Sequence, residues 1–78
     1  MRQHLVLSAV GHDKPGIVET ISKFVLQFGC NIEDSRMAHL GGDFALIMLL
    51  AGEKPVLEEA GAQIGKWGRD RGMSVLSR

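Results

Sequence analysis

The sequence predicts an α+β sandwich: four antiparallel strands in one sheet, with two helices on one of its faces. Three observations predict it. Two stretches carry apolar residues at helical spacing, and four shorter stretches read as strands around them. Gly41-Gly42 joins the second and third extended runs, as a tight hairpin with positive φ requires. The resulting order, βαββαβ, is the split βαβ pattern of ferredoxin-like domains.

Residues 3–10 read as the first strand. Leu5, Val6, Leu7, Ala9 and Val10 leave Ser8 as the polar residue in its middle, and a run apolar on both parities belongs in the centre of a sheet. Residues 15–28 form the first helix. Ile17, Ile21, Phe24, Val25 and Phe28 make one stripe of 3.6-residue period, while Glu19, Ser22, Lys23 and Gln27 take the wet side. Gly29 supplies a left-handed stop. Between strand and helix lies Gly11-His12-Asp13-Lys14-Pro15-Gly16. Glycines flank this loop, Asp13 has the side chain of an N-cap, and Pro15 has φ preset for a first turn. A helix amino end with unpaired N–H groups beside such a turn is a seat for a small anion or carboxylate.

Residues 32–40 and 44–51 are the second and third strands. With Gly41-Gly42 as a two-residue turn, Leu40 faces Asp43, His39 faces Phe44, Met37 faces Leu46 and Ser35 faces Met48. Phe44, Leu46, Met48 and Leu50 then line the helix-covered face. Ile32 falls on the opposite parity from Met37, so a bulge or an irregular strand entry is expected near Asn31. The second strand carries Glu33, Asp34, Arg36 and His39, charges that blunt an exposed edge. Right-handed crossovers put strands one and three in the middle.

Residues 55–71 form the second helix, with Leu57, Ala60, Ile64 and Trp67 on its apolar stripe. Gly61, Gly65 and Gly68 each cost roughly 0.5–1 kcal/mol relative to Ala; they serve close packing or leave this helix loose. Gly72 stops it, and residues 73–76 form a short last strand.

Nine basic and nine acidic residues cancel, and one Trp, three Phe and no Tyr make no basic, aromatic nucleic-acid footprint. Cys30 is the single cysteine, which excludes an intrachain disulfide, suits a reducing compartment and reads as a small buried residue. No run is long enough to span a bilayer and no signal-peptide pattern opens the chain, so the expected location is cytoplasmic, without membrane contact. A chain of 78 residues hides only about 60–65% of its unfolded surface, which makes self-association the available reinforcement.

Gly11-His12-Asp13-Lys14-Pro15-Gly16-Ile17-Val18 followed by Phe28-Gly29-Cys30-Asn31-Ile32 resembles the ACT domain, a small-molecule-sensing module attached to amino-acid enzymes and regulators. Residues 34–48, from Asp34-Ser35-Arg36-Met37 through Gly41-Gly42-Asp43-Phe44, are similar to the ACT domains of the glycine cleavage system transcriptional repressor family. The likeness covers nearly the whole chain and weakens after Gly52. It implies a non-catalytic regulatory domain that binds a small amino acid at a domain interface and modulates a regulated enzyme or regulator, with no cofactor. The resemblance puts Gly11, His12, Asp13, Lys14, Pro15, Gly16 and Ile17 on one side of the ligand, and Asn31 and Ile32, often a neighbour's, on the other. Serine-binding members carry a loop His and an Asn two residues later where Gly11 and Asp13 stand here, so serine specificity is not carried over.

Each of these residues also has a plainer reading. Asp13 serves equally as an N-cap and Asn31 as a strand-entry partner for backbone groups; Pro15 and Gly16 shape the turn. His4 and His39 read as strand-surface residues, since no second metal ligand stands at usable spacing, and Trp67 reads as core. One feature exceeds such readings. Ala38, Ala45, Ile47 and Leu49 fall on the sheet face away from the helices, and Asp34 of one chain can meet Arg36 of another across a two-fold axis. The expected assembly is a homodimer, joined by the edge or by the face. The alternative is a dimerisation module that has lost its ligand. Catalysis is not expected: acylphosphatases of this topology need an arginine in the loop and a water-positioning Asn, whereas the loop holds only Lys14, and no nucleophile–base pair is visible. A copper carrier of this fold needs two cysteines, and an RNA-binding sheet needs an aromatic platform.

Overall fold

Alternation along one strand decides which side of the sheet is covered. In the computed structural model, which describes residues 2–78, Phe44, Leu46, Met48 and Leu50 of β3 (Asp43–Gly52) are all buried while Ala45 and Ile47 between them are exposed. The covering layer is α1 (Ile17–Leu26) and α2 (Lys54–Asp70). The remaining strands are β1 (Gln3–His12), β2 (Asn31–Leu40) and β4 (Ser74–Ser77). The sheet is antiparallel throughout, in the order β2-β3-β1-β4. The two most apolar strands are central and the charged β2 lies at an edge, as their polarity predicts.

The hairpin register is the predicted one. Leu40 pairs with Asp43, His39 with Phe44, Met37 with Leu46 and Ser35 with Met48, and both turn glycines take positive φ, 57° and 89°. The expected irregularity near Asn31 is present as an extra residue at Glu33: Ile32 pairs with Leu50 and Asp34 with Leu49. The extra residue puts Ile32 and Met37 on the same helix-facing side. On the opposite face, the His4 ring bonds Glu33 Oε1 at 2.9 Å, bridging from β1 to β2 above Ala51 of β3, the register partner of both His4 and Asn31. Ala51 is accordingly buried although it lies outside the core cluster.

The core between the layers takes Leu7 and Ala9 from β1, Ile21 and Val25 from α1, and Leu57, Ala60 and Ile64 from α2. Gly61 and Gly68 of α2 serve close packing, whereas the atoms nearest a Cβ on Gly65 would be those of Arg69 in the same helix. A Cβ on Gly68 would stand 2.4 Å from Val75 Cγ2, and one on Gly61 3.2 Å from Ser77 Oγ, so β4 lies directly under the helix. Cys30 is buried, and desolvation holds its thiol pKa above the usual value.

Several boundaries differ from the sequence expectation. β1 runs on through Gly11 to His12, because both residues find partners on β3, Phe44 and Asp43. α1 begins at Ile17 rather than Pro15 and ends at Leu26 rather than Phe28, with Gly29 at φ 86° beyond it. α2 starts and stops one residue earlier, and β4 is shifted one residue later.

Candidate functional site

The loop between β1 and α1 reduces to Asp13-Lys14-Pro15-Gly16. Two glycines control its path. Gly11 lies in the strand, where a Cβ would come 2.7 Å from Met73 Cγ, and Gly16 holds φ 74° as the residue before the helix. Ile17 N–H donates to Lys14 O (3.1 Å), and Gly16 O accepts from Thr20 N–H (2.9 Å) and from Thr20 Oγ1 (3.0 Å).

Asp13 is not the N-cap. No side chain caps α1. Asp13 is drawn instead towards the hairpin: its N–H donates to Gly42 O (2.9 Å), and its Oδ2 lies 3.4 Å from His39 Nε2. One residue earlier, His12 Nδ1 bonds Asp43 Oδ1 at 2.9 Å. The start of the loop is thereby fastened to both strands of the β2–β3 hairpin. By strand parity the two histidine–aspartate pairs lie on opposite faces of the sheet. No group of three metal-ligating side chains converges among the described residues.

The predicted residues therefore divide. Asp13, Lys14, Pro15, Gly16 and Ile17 gather at one corner with Gly11 and His12 on the adjoining strand end. Asn31 and Ile32 are elsewhere in the chain: Asn31 is level with Ala51 and hence with His4, while the loop follows His12. At about 3.3 Å per residue those levels are about 26 Å apart. On the uncovered face Ala38, Ala45 and Ile47 are exposed and Leu49 half-buried; Val10 and Leu76 join them, 49% and 75% exposed. Arg36 pairs with Asp34 of its own chain.

Sequence reasoning missed the second wall of the loop corner. The carboxyl end of α2 comes beside the amino end of α1, and a cleft of about 260 Å³ opens between them, lined by Lys14, Pro15, Ile17, Trp67, Arg71 and Met73 among others. Trp67 is half-buried rather than full core. It packs on Phe24 with ring centroids 5.4 Å apart and carries the Arg71 guanidinium 4.4 Å from its ring centre. Arg71 Nη1 also donates to Trp67 O at 3.1 Å. The available signal was Trp67 and Arg71 four residues apart, just before the Gly72 stop.

A ferredoxin-like sandwich with a glycine-bounded loop opening its first helix is the arrangement of the ACT domain. A sequence profile described as "ACT domain" matches residues 3–76, and the chain belongs to that family. It is 57% identical over 51 residues to the glycine cleavage system transcriptional repressor of Escherichia coli (strain K12), covering 65% of this chain and 27% of that protein. A UPF0237 protein of Methanococcus maripaludis is 35% identical, over 81% of this chain and 80% of its own. Among solved structures, a protein assigned as a glycine cleavage system transcriptional repressor superposes with a TM-score of 0.93 at 36% identity, covering 100% of this chain and 46% of that one. The chain thus spans about a quarter of the curated repressor and under half of the solved one. No helix among the described residues is long and apolar enough to cross a membrane.

Proposed function

We propose that this chain is a non-catalytic regulatory domain that binds a small amino acid between two copies of itself and passes its occupancy to a regulated enzyme or regulator, in a cytoplasmic setting. The observation that carries this reading is the placement of β2. Its outer edge is unpaired, Asn31 stands at one end, and His39, in contact with Asp13, stands at the other. Two β2 edges paired antiparallel about a two-fold would bring the Asn31 of one copy beside the Asp13 loop of the other. The ligand ammonium would then meet Asp13, its carboxylate the uncapped amino end of α1, and its remaining polar groups the amide of Asn31 from the partner. Coupling follows if the ligand prefers one state of that interface.

The name of the Escherichia coli relative makes glycine the amino acid to test first, within a panel of the common amino acids. At 100 times Kd, binding stabilises the fold by about 2.7 kcal/mol, visible as a rise in melting temperature. Flat melting curves across the panel would favour a dimerisation module without ligand. One observation points that way: Asp13 already has His39 as a partner.

A further inference from the structure

We propose that the cleft between the amino end of α1 and the carboxyl end of α2 is a second binding site, built within one chain, for a small organic anion that carries no ammonium group. At about 260 Å³ the cleft suits a compact molecule. Its charge is one-sided. The sequence balances nine basic against nine acidic residues, yet Lys14 and Arg71 line the cleft and no Asp or Glu does. Arg2, Lys23, Arg36 and Lys66 each face a carboxylate. Among the described residues Lys14 and Arg71 do not, nor do Lys54, Arg69 and Arg78, but of these five only Lys14 and Arg71 share a cleft.

Arg71 is held ready for a ligand. One guanidinium nitrogen is spent on Trp67 O and the central carbon lies 4.4 Å from the Trp67 ring centre, which leaves further N–H donors in a fixed fork. Lys14 supplies a second, mobile cation. The anionic head sits between these two side chains, and the apolar body lies against Pro15, Ile17 and Met73; His12, Thr20, Trp67 and Gly72 make up the rest of the lining. A free amino acid would bring an ammonium for which the cleft offers no carboxylate, so the occupant differs from the ligand of the composite site. A carboxylate and a phosphoryl head share this chemistry.

Trp67 is the sole tryptophan and the chain has no tyrosine, so intrinsic fluorescence reads the cleft directly. The test titrates the whole chain with benzoate, phenyl phosphate and neutral benzyl alcohol, following Trp67 emission and backbone amide NMR shifts. One or both anions should give a saturable response at residues 14–20 and 71–73, at a chain concentration where the protein is monomeric, and benzyl alcohol should give none. The tighter of the two anions identifies the head group. Arg71→Gln and Lys14→Gln should each weaken binding about tenfold, or about 1.4 kcal/mol, while Lys23→Gln leaves it unchanged. If Arg71→Gln fails to fold, the exposed loop variant Lys14→Gln decides alone. No saturable response to either anion, or affinity untouched by both cleft variants, would overturn the proposal.

Discussion

His39 Nε2 lies 3.4 Å from Asp13 Oδ2, so the end of the edge strand and the start of the candidate ligand loop meet side chain to side chain. Both groups are well exposed, and such a pair adds little to stability. A double-mutant cycle with Asp13→Ala and His39→Ala, read by urea unfolding, should give a coupling of about 0.2–1 kcal/mol. A much larger coupling would mean that the pair holds the fold itself and not only the loop.

The close seat of α2 on β4 makes an opposite pair of predictions for two glycines. Gly68→Ala should destabilise by about 1–3 kcal/mol, because the new methyl meets Val75 at 2.4 Å and overpacking outweighs the helix-propensity gain of about 1 kcal/mol. Gly61→Ala meets Ser77 Oγ and Leu5 Cδ2 at 3.2 and 3.3 Å, groups that can shift by tenths of an ångström. Its effect should be smaller than that of Gly68→Ala by at least about 1 kcal/mol. Denaturant midpoints of the two variants measured side by side check the contrast.

Burial of Cys30 gives the stability of the domain an alkaline limb. The folded thiol has its pKa raised above the ordinary 9.0, so above that pH the unfolded chain loses its proton first. Stability is then full below about pH 9 and falls as pH rises towards the folded value. Cys30→Ala should flatten this limb relative to wild type in urea unfolding followed across that range. The native thiol should also resist Ellman's reagent until the chain is unfolded.

Much of the fold was legible because local rules agreed with one another. Gly41-Gly42 set the hairpin register, and the parity conflict between Ile32 and Met37 demanded a bulge or an irregular entry, although pattern alone could not choose Glu33 as the extra residue. The site was less legible. A carboxylate just before a helix reads as an N-cap, but β1 extends two residues further than its apolar run, and Gly42 O then takes the Asp13 N–H. The Trp67–Arg71 wall depends on the ends of two helices meeting, which no spacing within either segment announces.

The edge arrangement of the proposed dimer predicts that Ile47→Asp leaves it assembled. Ile47 is 47% exposed on the open face, so the substitution should not unfold the chain, and an interface along β2 does not need it. Sedimentation equilibrium should return the same dimer dissociation constant as wild type. A monomeric variant would assign the contact to the sheet face instead.

Asp13→Ala and Asn31→Ala lie on opposite sides of the proposed interface site, and mixing them tests whether two copies build it. Each variant alone should lose binding of the amino acid that stabilises wild type most. An equilibrated mixture should regain it, because each mixed dimer contains one site with both side chains intact. Isothermal titration of the mixture measures this directly. Recovered binding sites are the result predicted here, and a mixture as inert as its two components would contradict a shared site.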